Sequence, residues 1–325
     1  MSARGTLLLV LLAACAGAQA ESGPAAAKPA IDRRIAITID DLPWASLGEE
    51  TPPTLAEYHP KLMAALKAGG APVIGFVNEG KLVASGKVDT ARVHLLRDWL
   101  DAGAELGNHT QNHADLHAVG LDEYESQILR GETFLRPLLE ERGQLPTWFR
   151  HPYLRAGRTL ADKAALGAFL HEHGYRIAPV TVDNSDWLWA AAYRKAIAAK
   201  DAAAQAKLRE GYVPYMLDEV GYYERQSIAL LGYNLPQILL MHANELNTDC
   251  YGELLAGLRA RGYGFIDLAT ALKDPAYKRA DAYIGKKGPS WIHRWAIGEQ
   301  RPQEFFAGEP KVPQWVLDYS GIDAE

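Results

Sequence analysis

Short runs rich in Val and Ile alternate with longer stretches of helical period from Ile35 to Leu268, and this alternation restricts the fold more than any other feature of the chain. It begins with IAITI (35–39), a helix over Leu55–Ala68, VIGFV (73–77), a helix over Ala91–Ala102 and AELGNH (104–109). A helix over Glu123–Leu139, TWFRH (147–151), a helix over Leu160–His173 and RIAPVTV (176–182) follow. Two more helical stretches, ILLMH (238–242), a helix over Gly252–Ala260 and GFIDL (264–268) complete it. Such alternation implies a parallel sheet, and about seven units imply closure. The expected fold is α/β: an irregular (β/α) barrel of about seven strand-helix units, with a helical insertion and a C-terminal extension.

In barrels of this kind functional side chains stand where strands end and loops begin, at the C-terminal face. Asp40 and Asp41 follow IAITI, Asn108 and His109 follow AELG, Arg150 follows TWF, Asp183 follows APVTV and His242 follows ILLM. Two segments fit the repeat less well. Residues 188–231 are Ala-rich and then Tyr-rich, with strong helix propensity, and read as an insertion forming one wall of a cleft. The extension over 275–325 carries Trp291, Trp295 and Trp315, too aromatic for a disordered tail. It is expected to pack on the barrel, with carbohydrate-stacking platforms as the functional alternative.

The catalytic domain is therefore placed at 31–274. Residues 1–20 combine Arg4, an apolar core from Leu7 to Leu12 and the small-residue close Ala18-Gln19-Ala20, the parts of a secretory signal too short for a permanent membrane anchor. Leu12-Ala13-Ala14-Cys15 also matches the bacterial lipoprotein box, in which Cys15 would carry a lipid. Either reading exports the protein, to the periplasm or beyond, and a lipid on Cys15 would be its one tie to a membrane. Residues 21–30 read as a Pro/Ala tether. The formal charge of −6, without clustered Lys and Arg, disfavours nucleic acid and anionic membrane surfaces as partners. Cys250 is the one cysteine after residue 20, so the folded part has no internal disulfide, and no His or Asn constellation marks it as a catalytic thiol.

His109 and His113 stand four apart in HTQNH, a spacing that puts both imidazoles on one face of a helical turn. His113 and His117 offer the same spacing, but His109 lies beside a strand end and His117 a turn further away. Asp41 adds a hard anionic third ligand, and Asp-His-His with an open fourth position is the composition of a hydrolytic divalent-metal site, typically zinc. Of two adjacent carboxylates one can bind metal while its neighbour, aimed differently, accepts a proton from water. The cation would also compensate charge that burial otherwise makes costly.

TIDD (38–41), HTQNH (109–113), FRHPY (149–153), DNSDW (183–187) and LLMH (239–242) together resemble the five ordered motifs of the polysaccharide deacetylases, the family 4 carbohydrate esterases, over residues 31–268. The resemblance implies an irregular (β/α) barrel, Asp40 as general base, and Asp41, His109 and His113 as metal ligands. Arg150 would hold Asp40 ionised, and the backbone amide of Tyr153 would join the metal at the oxyanion. His242 would be the general acid, oriented and raised in pKa by Asp186, while Trp187 and Leu240 would shape the acetyl pocket.

The chain departs from the family at several points. Ile39 and Leu42 flank the paired Asp where Phe and Gly are usual, Leu154 stands where Gly follows the Pro-aromatic pair, and Ala243 follows His242 where Asp is frequent. Leu42 is expected to place a side chain beside the metal. The leading reading is a metal-dependent deacetylase of acetylated sugars of a polysaccharide or peptidoglycan-type glycan. An amidohydrolase of a small non-sugar amide, and a noncatalytic glycan-binding protein, keep the same scaffold. The oligomeric state is open.

Overall fold

The computed structural model describes Met1 and residues 31–322, so the leader over 1–20, Cys15 and the tether over 21–30 lie outside the described residues apart from Met1. From Asp32 onward the strands are β1 (Arg34–Leu42), β2 (Val73–Val77), a small hairpin of β3 (Val83–Ala84) and β4 (Lys87–Val88), β5 (Glu105–Asn108), β6 (Trp148–Phe149), β7 (Arg176–Ile177), β8 (Gln237–His242) and β9 (Gly264–Phe265). The first helices are α1 (Leu55–Gly69), α2 (Thr90–Asp101), α3 (Leu116–Val119), α4 (Leu121–Arg130), α5 (Leu135–Glu140) and α6 (Leu160–Glu172). They are followed by α7 (Asp186–Ala198), α8 (Ala202–Leu231), α9 (Glu245–Ala260), α10 (Leu268–Ala271), α11 (Trp291–Gly298) and α12 (Gln314–Ser320).

The main sheet is parallel throughout, in the order β7-β6-β5-β2-β1-β8, with β9 beside the start of β1. Past β7 the chain reaches β8. Val182 pairs with Leu239, Thr181 N and Val182 N donate to Ile238 O at 3.1 and 3.0 Å, and Leu240 N donates to Val182 O at 3.2 Å. This ladder curls the sheet into the irregular barrel expected from the alternation. In the β1–β8 pairing, Asp40 is the register partner of His242.

Period-two alternation sorts the strands onto two faces. Ile35, Ile37 and Ile39 join the large core formed with the surrounding helices, whereas Ala36 packs with Ile74, Phe76, Trp148, Ala178 and Ile238 inside the barrel. Thr38 and Asp40 therefore share the face of Ala36, Arg150 that of Trp148, and His242 that of Ile238. The interior is apolar at one end and polar at the other because apolar residues fill the early positions of this face and charged ones the late positions.

Three local expectations change. The helix over Glu123–Leu139 is two helices, α4 and α5, because the Glu79 carboxylate accepts the Phe134 and Leu135 N–H groups (2.9 and 2.5 Å) and starts a new helix there. The helix expected from Gly252 begins at Glu245, capped by the Asn244 side chain accepting from Asn247 N at 2.8 Å. Leu42 does not point toward the paired acids; it is fully buried against Gly75, where an added Cβ would meet Leu42 Cδ2 at 2.2 Å.

The insertion consists of α7 and α8, packed on each other and on α9. The C-terminal segment is sewn to the closing ladder, with Trp291 N donating to Val180 O at 2.8 Å and Ser290 Oγ to Thr181 O at 2.7 Å. Trp291 and Trp295 are buried, and Trp315 meets Trp189 of α7 edge-on at 6.1 Å. Trp291 and Trp295 are thus packing residues rather than open stacking platforms, while Trp315 is half-buried. Among the described residues no helix is long and apolar enough to cross a membrane.

Candidate active site

The polar end of the barrel collects residues that are distant in sequence. Thr38, Asp40 and Arg150 are all buried. Arg150 donates from Nη2 to Thr38 Oγ1 at 2.9 Å, lies 4.7 Å over the Phe76 ring, and brings Nη1 to 3.8 Å from Asp40 Oδ2. Burial, with smaller help from Asp41 and Asp186, pushes Asp40 up to about 6 against the downward pull of Arg150 and His242. Arg150 thus acts in the expected direction, but desolvation outweighs it.

His109 follows β5 and donates from Nδ1 to Arg150 O at 2.8 Å, which turns Nε2 toward Asp40 Oδ2 (3.7 Å) and Asp41 Oδ1 (3.9 Å). His113 brings Nε2 to 3.6 Å from Asp41 Oδ1, and the two imidazole centroids are 4.9 Å apart. The pair does not share a helical face. Residues 109–113 are an irregular loop in which Thr110 (φ 65°) and His113 (φ 52°) are left-handed. The loop is braced by Asn108, whose Oδ1 accepts from Thr110 N at 2.8 Å and whose Nδ2 donates to Ile128 O at 2.8 Å, and by Asn78 Nδ2 donating to His109 O at 2.6 Å. Burial lowers the pKa of both imidazoles, His109 strongly.

One donor atom each from Asp41, His109 and His113 lies within 4.8 Å of the others, which makes this a possible metal site. Asp40 Oδ1 and Asp41 Oδ1 are buried without a hydrogen-bond partner. The orphaned Asp41 oxygen beside two imidazoles whose pKa burial lowers forms a donor set that a divalent cation satisfies, with the Asp40 carboxylate next to it. His117 is not part of this group.

Lys81 was not singled out in the sequence. It sits on the turn after β2 and donates from Nζ to the carbonyls of Asp41, Trp44 and Ala45 at 3.0, 3.3 and 3.2 Å, with Asp41 Oδ1 3.8 Å away. Asp41 itself is left-handed (φ 69°), and this ammonium holds its loop. Burial acts to raise the Asp41 pKa, but the opposing charges, the Lys81 ammonium foremost, take it well below the usual carboxylate range.

Opposite, His242 ends β8. Its Nδ1 donates to Asp186 Oδ1 at 2.7 Å and its main-chain N to Asp186 Oδ2 at 2.9 Å, while Asn247 Nδ2 donates to the same Oδ2 at 2.8 Å. Burial would lower the imidazole pKa, but the charge and hydrogen bond of Asp186, with Asp41 and Asp40, raise it to about 9. Tyr153 is exposed, left-handed (φ 55°) and edge-on to His113 at 4.4 Å. Trp187 is exposed on the first turn of α7, and Leu240 is buried in β8 two residues before His242.

The sequence profile of the polysaccharide deacetylase family matches residues 27–175. A peptidoglycan-N-acetylglucosamine deacetylase from Bacillus cereus is 27% identical over 153 residues, 47% of this chain and 46% of that protein. One from Listeria monocytogenes is 27% identical over 164 residues, 50% of this chain and 29% of the other. The chain thus aligns with less than half the length of these relatives. In fold it is similar to a family 4 carbohydrate esterase pseudoenzyme from Bacillus anthracis, with a TM-score of 0.50 at 16% identity over 74% of this chain and 66% of that one. A mutant of a pseudoenzyme of this kind, with restored enzymatic activity, matches with the same TM-score at 18% identity, over 74% and 68% of the two chains.

Proposed function

Because this chain belongs to the polysaccharide deacetylases, as a divergent member, we propose that it is an exported, metal-dependent hydrolase that removes acetyl groups from N-acetylated sugars of a peptidoglycan-type glycan. Asp41, His109 and His113 would hold the cation, zinc by the preference of such a donor set. Once bound, a divalent cation supplies Lewis acidity toward the acetyl carbonyl and makes water a better nucleophile.

The chain's own groups do the rest. Asp40 takes the proton of the attacking water, and Arg150, itself held by Thr38 and the Phe76 ring, stands 3.8 Å from its carboxylate. The Tyr153 amide donates to the developing oxyanion. An amide nitrogen leaves poorly until protonated, and His242 Nε2, with Nδ1 held by Asp186, delivers that proton. Trp187 and Leu240 border the acetyl methyl group. The domain limits follow the same reading: a catalytic barrel over 31–274 and an extension over 275–325.

One observation carries this reading: an acid-base pair, Asp40 and the Asp186-backed His242, in register across β1 and β8 beside the Asp41-His109-His113 group. The test is acetate release by metal-loaded protein from N-acetylated chitooligosaccharides and peptidoglycan fragments, with small amides as comparison. Release from the small amides alone would favour an amidohydrolase. Glycan binding without release, unaltered by Asp40→Asn, would favour a noncatalytic binding protein.

A further inference from the structure

Tyr153 and Leu154 are consecutive non-glycine residues in the left-handed region, with φ of 55° and 52°. Each pushes its Cβ against the following carbonyl, and such backbone persists only where its surroundings over-determine it. The local turn contributes two hydrogen bonds, Leu154 N to His151 O at 3.0 Å and Arg155 N to Pro152 O at 3.1 Å. Neither uses the Tyr153 N–H, and neither restrains the Tyr153 or Leu154 carbonyl.

Those carbonyls are held from the C-terminal extension. The main chain at Gly288 lies so close that an added Cβ would sit 1.8 Å from Tyr153 O and 2.8 Å from Leu154 C. The Arg294 guanidinium, 1% exposed, donates from Nη2 to Leu154 O. It is itself fixed by Nε donating to Pro289 O at 2.8 Å, by Nη1 donating to Asp281 Oδ2 at 3.0 Å, and by stacking 4.1 Å over Trp291. Asp281 Oδ2 also pairs with Lys163 of α6 at 2.6 Å. Ser290 and Trp291, between Gly288 and Arg294, are bonded to the ladder that closes the barrel. The extension is thus a strut from the closing strand to the turn.

We propose that Arg294, seated by Pro289 O and Asp281, is a positioning residue that, with Gly288 packed on the Tyr153 carbonyl, presets the Tyr153–Leu154 turn so that the Tyr153 N–H faces the site before substrate arrives. This rests on the reading of the Tyr153 amide as the oxyanion donor. A preset donor costs no reorganisation in the transition state, so loosening it lowers kcat more than it raises KM.

The experiment compares wild type, Arg294→Met, Arg294→Lys and Gly288→Ala, with Arg279→Met as a control because Arg279 pairs with Glu299 in the same segment, apart from the turn. Acetate-release kinetics, bound metal and hydrogen exchange over 151–156 are read for each. Arg294→Met is expected to lower kcat about tenfold to a thousandfold, with KM within about threefold, metal content unchanged and exchange at 153–155 faster. Arg294→Lys should recover part of the rate, and Gly288→Ala should match Arg294→Met even if the latter folds poorly. Wild-type kcat and unchanged exchange in Arg294→Met and Gly288→Ala would overturn the proposal, as would an equal loss in Arg279→Met. A wild type that releases no acetate fails the deacetylase reading and with it the catalytic half; exchange alone then decides the clamp, and unchanged exchange overturns it.

Discussion

His242 and Asp186 are joined twice, through the imidazole Nδ1 and through the main-chain N, one to each carboxylate oxygen. The double contact fixes ring orientation and tautomer together and leaves Nε2 as the free ring atom. In the proposed mechanism His242 is the general acid and works only while protonated, and Asp186, with Asp41 and Asp40, raises it to about 9 against the opposing effect of burial. In Asp186→Asn the proton is lost at lower pH, so the alkaline limb of kcat/KM should move from near 9 toward the ordinary histidine value of about 6.5. A pH–rate profile with an unmoved limb would show that another group sets it.

Asp40→Asn keeps the shape of a side chain that is 3% exposed and removes only its capacity to take a proton. The expected loss in kcat is about a hundredfold to ten-thousandfold. Bound metal, measured on the same sample, should equal that of wild type, because Asp40 is outside the donor group of Asp41, His109 and His113.

His113→Ala removes one of three donors, whereas His117→Ala removes an imidazole outside the group. Even a partner of a ligand is worth roughly 10–100-fold in metal affinity, so the first variant should lose at least that much and its turnover. The second should retain both. Metal titration of the two proteins checks this, and equal losses would put the centre elsewhere.

Lys81→Met leaves three inward carbonyls, those of Asp41, Trp44 and Ala45, without their donor. Stranding buried acceptors costs about 1–3 kcal/mol, which lowers Tm by roughly 2–10 °C. Thermal unfolding measures this directly; an unchanged Tm would mean that the carbonyls find other donors.

Much of the barrel was legible because strand-buried apolar runs and helical periods differ in kind, and because polar residues at strand ends stand out against them. Asp40, Asp41, His109, Arg150 and His242 could be assigned to one end of the molecule on that ground alone. The four-residue spacing of His109 and His113 led to their proximity by the wrong route, since left-handed Thr110 and His113 bring the rings together without a helix. Lys81 was illegible: a lone lysine in a polar turn looks solvated, and only the fold carries its ammonium to three carbonyls far away in sequence. The split of α4 from α5 was hidden likewise, because the cap comes from Glu79, 55 residues before the Phe134 N–H it accepts. The hold of Arg294 on Leu154, 140 residues apart, leaves no local mark at either position.

Asp40 and His242 are rungs of the same ladder, so the span between the proposed proton acceptor and the proposed proton donor is a main-chain dimension rather than the outcome of loop conformations. Loops around the rim can be lengthened, shortened or exchanged to suit a different substrate while that gauge stays constant. A slip of one residue between β1 and β8 would carry one of the two to the opposite side of the sheet, so natural variation at this site should spare strand alignment long before it spares the rim.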